Sequence, residues 1–229
     1  MRKLNWKGLA AGALVLCLVA ALTACGGGGV TEKDAEVYVK GHLDAAYLGV
    51  CSKEYMDLVE DMTEDEAEEM HRSNIAWEAE ILLEDFFQVE YPTGEMTQRA
   101  EELIEEIYSQ AKYTVGTGSK TKDGDFVVEV TVSPIEVLSL IEDEDLLDAL
   151  EQSGYVEAET DEEVQAADAI YGMLALDKLE ELLPRLTYGE DQIIMLQLKP
   201  DDEGYYTLVE TGIQKVDEVM IDYGGYYVK

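Results

Sequence analysis

Phe126-Val127-Val128-Glu129-Val130-Thr131-Val132 follows the turn pair Asp123-Gly124, and Tyr113-Thr114-Val115 precedes that turn. β-Branched residues dominate the stretch, and an Asp-Gly pair suits a tight turn between antiparallel strands because glycine accepts positive φ. The segment predicts a β-hairpin. A second hairpin follows downstream, where Ile193-Ile194-Met195-Leu196-Gln197-Leu198 and Tyr205-Tyr206-Thr207-Leu208-Val209 flank Asp201-Asp202-Glu203-Gly204. Outside these pairs the apolar period is that of a helix rather than a strand. Helices and antiparallel hairpins that are segregated along the chain point to an α+β fold rather than a doubly wound parallel sheet.

Helix starts are written plainly. Thr31-Glu32-Lys33-Asp34 caps a first helix with Ala35, Val39, Leu43 and Ala46 inward, and Gly49 ends it. A short helix is expected over Lys53 to Asp61, burying Tyr55, Met56, Leu58 and Val59. Thr63-Glu64-Asp65-Glu66 is a full capping box for a long helix to about Phe87, with Ala67, Met70, His71, Ile75, Ala79, Leu82 and Phe86 on one side. Pro92 and Gly94 break the pattern, and Thr97 is the expected cap of the next helix, which buries Ala100, Leu103, Ile104 and Ile107. Ser133-Pro134-Ile135-Glu136 places an N-cap, a first-turn proline and a third-position glutamate in order, which predicts a helix to about Leu150. Thr160-Asp161-Glu162-Glu163 opens another, with Val164, Ala167, Tyr171, Leu174 and Leu182 as its stripe and Pro184 as its stop. A last helix or turn covers Ile213 to Met220, before a tyrosine-rich tail.

Two stretches share the order helix, strand, Asp/Gly turn, strand, helix, and Gly124 and Gly204 stand 80 residues apart. That order marks either a duplication, with halves 31–134 and 135–229, or a common arrangement met twice. No Ser/Pro-rich linker divides residues 31–229, so they are read as one acidic domain.

The amino terminus reads as a targeting segment. Arg2, Lys3 and Lys7 form a basic head, and the 17 residues from Gly8 to Ala24 carry no charge. This is the layout of a secretory signal. Leu22-Thr23-Ala24-Cys25 resembles the lipobox of bacterial lipoproteins. The resemblance implies removal of residues 1–24 by cleavage between Ala24 and Cys25, and diacylglycerol on the Cys25 thiol. It places the protein on the extracytoplasmic face of the cell membrane. Residues 25–30 then hold the lipidated cysteine and a tether, Gly26 to Gly29, spanning on the order of 10–12 Å. Two acyl chains anchor far more firmly than one.

The 229 residues hold 16 Lys+Arg against 51 Asp+Glu. Losing three basic residues with the first 24 leaves 13 against 51, a net charge of −38. Such a surface repels nucleic acid and anionic lipid, whose binding needs basic patches. Weak, diffuse binding of divalent cations is expected instead. Cys17 leaves with the signal and Cys25 takes the lipid, so Cys51 remains alone, and it is expected to be buried and inert.

No catalytic constellation stands out. Aspartate and glutamate are so frequent that pairs arise at every spacing, and solvated helix faces account for them. No segment has the ligand pattern of a calcium loop, and His42, His71 and Cys51 are too few for a zinc site, so no metal or cofactor is expected. The two histidines are read as surface or core residues. Gly116-Thr117-Gly118-Ser119-Lys120-Thr121 lacks the glycine before lysine of a phosphate loop and is read as a flexible polar turn. Tyrosine is the unusual component: of 14 in the chain, Tyr205, Tyr206, Tyr223, Tyr226 and Tyr227 gather near the end. These five are the candidate ligand-contact residues, since tyrosine offers a rigid apolar face with a polar tip. The same chemistry suits half-buried strands.

Val37-Tyr38-Val39-Lys40-Gly41-His42-Leu43-Asp44-Ala45-Ala46-Tyr47 and Glu66-Ala67-Glu68-Glu69-Met70 resemble surface lipoproteins of Gram-positive gut-type bacteria that carry a domain of unknown function. There a Tyr-x-x-Gly-x-Leu-Asp-Ala-x-Tyr helix precedes acidic helices and a hairpin. The similarity covers roughly residues 31–140 and implies a cell-surface location, with no catalytic or ligand residue to carry over. The sequence thus predicts a membrane-anchored, non-enzymatic binding module for a wall glycan, a peptide or another envelope protein. The alternatives are a cell-wall hydrolase using paired carboxylates and a solute-binding component of a transporter.

Overall fold

The computed structural model describes residues 29–59, 62–202 and 204–224. Among the described residues, α-helices occupy Glu32–Leu48 (α1), Lys53–Leu58 (α2), Glu64–Glu80 (α3), Gly94–Tyr108 (α4), Asp143–Ser153 (α5), Asp161–Leu182 (α6) and Glu210–Met220 (α7). The strands are Lys112–Lys120 (β1), Phe126–Ser133 (β2), Ile135–Glu136 (β3), Thr187–Tyr188 (β4), Gln192–Pro200 (β5) and Tyr206–Leu208 (β6). The expected α+β class is the observed one.

Both hairpins form, and they join. The main sheet has the order β1-β2-β5-β6, antiparallel throughout, with β2 and β5 paired from Phe126↔Leu198 to Val132↔Gln192. Its inner face carries Phe126, Val128, Val130, Val132, Leu196 and Leu198, all fully buried. α1 lies on β1 and β2, and α7 lies on β5 and β2; α3 packs behind α1, then come α4, α6 and α5 in turn. One cluster of buried apolar side chains runs through these layers.

The capping boxes at Thr31, Thr63 and Thr160 are all made, because each threonine hydroxyl accepts from the third helical N–H and an acidic side chain returns to the cap. Gly49 closes α1 in the left-handed conformation, with φ of 62°. Residues Ile81–Phe86 continue α3 as a π-helical turn, so the long helix ends where its pattern does.

Three expectations fail. Thr97 does not cap α4; Thr93 does, accepting from the Met96 N–H at 3.2 Å, and Gly94 is the first helical residue rather than a breaker. The helix read from Ser133-Pro134-Ile135-Glu136 is absent. Ile135 and Glu136 pair with Tyr188 and Thr187 as a two-stranded sheet, and Ile135 also bridges Ile221. Ile135, Val137 and Leu138 are all buried, with Glu136 between them only partly so, a burial that a half-exposed helix would not give. Backbone partners on both sides outweigh the local capping signal. The helix begins instead at Asp143, behind a box formed by Glu142 and Asp145. Finally, Gly116 to Lys120 is not a flexible turn but part of β1, with a register shift between Val115 and Gly118. Carboxylates occupy its backbone donors: the Gly118 N–H donates to Glu36 Oε1 at 3.0 Å and the Lys120 N–H to Glu32 Oε1 at 3.0 Å. A Cβ on Gly118 would lie 2.8 Å from the Glu32 carbonyl oxygen, so glycine sets how closely β1 approaches α1.

Excess negative charge weakens this fold by self-repulsion. Added salt or Mg²⁺ is expected to raise the melting temperature, by about 2–4 °C for each kcal/mol of repulsion screened. Thermal melts in dilute buffer and at high salt check this; no rise on adding salt would contradict it.

Candidate functional site

Three carboxyls that composition assigned to solvated surfaces are buried: Glu78, Asp44 and Asp168 are 4%, 8% and 1% exposed. The reading of carboxylates as helix-surface charge is corrected for these. Asp168 on α6 accepts the Tyr91 N–H at 2.7 Å, and Tyr171 one turn later donates to the Phe87 carbonyl at 2.9 Å. Together they hold the chain between α3 and α4, where Gln88 adopts a φ of 58°.

The other two belong to a carboxyl–tyrosine network that joins five elements. Glu78, on the inward face of α3, accepts from Tyr108 of α4 at 3.0 Å and from the Tyr223 hydroxyl. Tyr47 of α1 donates to Asp217 of α7. Tyr113 of β1 donates to Asp44 at 2.8 Å, and Lys40 reaches the same carboxylate. Tyr47 meets Tyr108 edge-on, with ring centroids 5.2 Å apart, and leans on Tyr113 at 6.2 Å. Burial drives the Glu78 carboxyl up to about 7; its two tyrosine donors oppose that rise, and the charge of Asp217 adds to it. Asp217 is half-buried, and burial raises it to about 6 against the stabilising Tyr47 hydroxyl. Burial and the Asp217 charge push the Tyr47 phenol upward, so it stays a donor. The network therefore takes up protons near neutrality.

Among the clefts formed by the described residues, two lie elsewhere, and neither is lined by Glu78 or Asp217. One, of about 220 Å³, lies between α1, the start of α2 and β1, with Lys33, Glu36, Lys40 and Asp44 in its walls. Its lysines are committed to ion pairs, Lys33 with Glu36 and Lys40 with Asp44. The larger, about 350 Å³, lies between β5 and the first turns of α7, lined by Ile193, Met195, Gln197, Thr211, Gly212 and Lys215 among others. That is close to the lower limit for small-molecule sites, about 300 Å³.

The tyrosines chosen from sequence are divided. Tyr206 is half-buried, packs its ring on Phe126 at 5.0 Å and donates to the Gly124 carbonyl at 3.1 Å. Tyr205, beside it, donates its N–H to Asp201. Tyr223 is in the core, against Phe86 and Glu78. Tyr226 and Tyr227 lie outside the described residues, as do Ala24 and Cys25. Cys51 is half-buried rather than buried, with its thiol raised by burial and then by Glu64. His42 is a core residue, lowered to about 4 by burial. His71 binds the end of α1 through Nδ1 and the Ala46 carbonyl at 3.0 Å. Among the described residues no three His, Cys, Asp or Glu side chains converge as metal ligands, and no helix is long and apolar enough to cross a membrane.

Sequence reading missed Glu78 and Asp217, yet both carry a signal. Glu78 falls between Ile75 and Leu82 at helical spacing, and Asp217 between Ile213 and Met220, so each interrupts an apolar stripe.

The architecture defines a class: an antiparallel four-stranded sheet covered on one face by helices α1 and α7, with further helices stacked behind. It is shared with the crystal structure of YcdA, a candidate lipoprotein of Bacillus subtilis, at a TM-score of 0.53 and 14% identity. The likeness covers 80% of this chain and 55% of that one, so the chain spans little more than half of its structural neighbour. At this identity it is the fold that is shared. No family model matches the chain, and no curated protein does.

Proposed function

We propose that the protein is a lipid-anchored, extracytoplasmic and non-enzymatic binding module. The observation that carries this reading is Leu22-Thr23-Ala24-Cys25 behind a basic head and an uncharged run. A fold held in common with a candidate bacterial lipoprotein supports it. Diacylglycerol on Cys25 supplies the attachment, since a body this acidic gains nothing from anionic headgroups. The glycine tether keeps the folded body near the outer face of the membrane. The β5–α7 cleft is the surface offered to a peptide, a wall glycan or another envelope protein.

Intact-mass measurement on protein recovered from its own cells tests the anchor. The expected species begins at Cys25, carries diacylglycerol and sediments with membranes, whereas Cys25→Ser accumulates as full-length precursor without lipid label. A bare Cys25 in the native protein, or label persisting on the variant, overturns the anchor. The non-enzymatic part is tested on wall glycans. Robust turnover abolished by a single Asp or Glu substitution would overturn it.

A further inference from the structure

The main sheet ends on one side at β6, and β6 is too short to cover its neighbour. It pairs only with Leu198, Lys199 and Pro200 of β5. From Gln192 to Met195 the far edge of β5 has no strand beside it among the described residues. The direction of the backbone groups there follows from the bonds on either side. Asp201 donates to the Tyr205 carbonyl at 2.8 Å and the Gln197 carbonyl accepts from the Val209 N–H at 2.8 Å, both away from β2. Strand alternation then turns the N–H and C=O of Met195 and Ile193 the same way, onto the open edge. Edge strands of this kind are templates for pairing with another chain.

Side chains reinforce the template. Ile193 and Met195 are 65% and 55% exposed, the most exposed large apolar residues of the sheet. The cleft of about 350 Å³ runs beside them, bounded by Thr211, Gly212 and Lys215 of α7. Natural sheets protect free edges with inward charges, proline or a covering loop, and Gln192 to Met195 contain no charge or proline. Charge decides what fits. Glu129 lies opposite Met195 on β2, Glu190 and Asp191 precede the strand, and Glu210 opens α7; all four are exposed, and they outnumber Lys215 on the cleft wall and Lys199 further along β5. A second copy of this chain would bring another strongly anionic body against the first, and like charge opposes that pairing. A cationic segment is attracted by the same field.

We infer that the open edge of β5 at Ile193–Met195 receives an extended, cationic segment of a partner protein as an added strand. The main chain of that segment bonds to the Ile193 and Met195 backbone, its apolar side chains lie on the face of the two exposed residues, and its net positive charge is drawn by the exposed acids around the edge. The inference rests on the binding-module reading above but not on the lipid at Cys25.

The test uses the full chain purified from its producing cells in neutral detergent, after the state of Cys25 has been read by mass spectrometry. Three probes are compared: a short peptide alternating valine and lysine, the same peptide with alternate amides N-methylated, and its valine–glutamate counterpart. The first should slow amide exchange at Ile193 and Met195, and the other two should not. Ile193→Lys with Met195→Lys, both at exposed positions, should leave the fold intact and weaken binding by roughly tenfold or more. Equal binding by the N-methylated or acidic peptide overturns the inference, as does cationic binding without protection at these amides. Self-association that consumes the edge overturns it too. A bare Cys25 with protected amides defeats the anchor alone, and a lipidated Cys25 with unprotected amides defeats the added strand alone.

Discussion

Glu78→Ala is expected to destabilise the protein by about 3–5 kcal/mol at pH 5, which urea denaturation at that pH measures directly. The substitution leaves the Tyr108 and Tyr223 hydroxyls without their acceptor inside the core and opens a void where α3, α4 and the segment after α7 meet. Such a loss is a large share of the roughly 5–15 kcal/mol that holds a typical domain together. The pH matters because Glu78 titrates at about 7 in the fold and at 4.5 as a free side chain. Between those values the folded protein keeps a proton that the unfolded chain releases. The contribution of Glu78 is thus fully present below about pH 4.5 and is lost as pH rises through 7.

Glu78→Gln isolates this effect, since an amide can serve both tyrosines without titrating. It should match the parent near pH 5 and exceed its stability by about 3 kcal/mol at pH 8. Comparing variant with parent matters because other groups bend the parent's own curve. Asp217, raised to about 6, adds a loss with rising pH, while His42, lowered to about 4, makes the parent gain stability as pH climbs from about 4 to 6.5. A parent and a Glu78→Gln variant with parallel curves from pH 5 to 8 would show that Glu78 is ionised in the fold and that the account of its burial is wrong.

Gly41→Ala should cost about 2–3 kcal/mol or detach α2, although alanine is the better helix former. A Cβ at position 41 would stand 2.2 Å from Tyr55 Cγ and 2.5 Å from Tyr55 Cβ, the rigid root of a ring that is fully buried. Neither atom can swing aside, so α1 and α2 must separate. The expected gain of about 1 kcal/mol from replacing a mid-helix glycine is smaller than that strain. Gly94→Ala is the control: a Cβ there meets nothing within 4 Å, so stability should hold or rise slightly. Equal denaturation midpoints for the two variants would remove the steric argument.

Gly41 belongs to a stretch of α1 whose residues are mostly buried. Tyr38, Gly41, Leu43, Asp44, Ala45 and Tyr47 are all buried. Tyr38 packs on Tyr55, Asp44 anchors Tyr113, and Tyr47 reaches Asp217. This stretch of α1 is a packing hub. The two hairpins, the capping boxes and the stripe of α4 were legible because each is written in residues a few positions apart. Ser133 to Glu136 misled because its local signal was strong while its fate was set by Tyr188 and Ile221, far along the chain.

Alone, then, the sequence determined the excess of acid, the class of fold and most helix starts. These depend on composition, period and short-range caps, which neighbouring residues fix between themselves. Tertiary structure alone decided that β2 and β5 join the hairpins into one sheet with an open edge, that Glu78 leaves water and that Asp217 is half-buried. Tyr47 and Asp217 are 170 residues apart, and Tyr223 and Glu78 are 145. Contacts across such distances arise only when packed layers bring the segments together, and no local period records which partner a buried group will find.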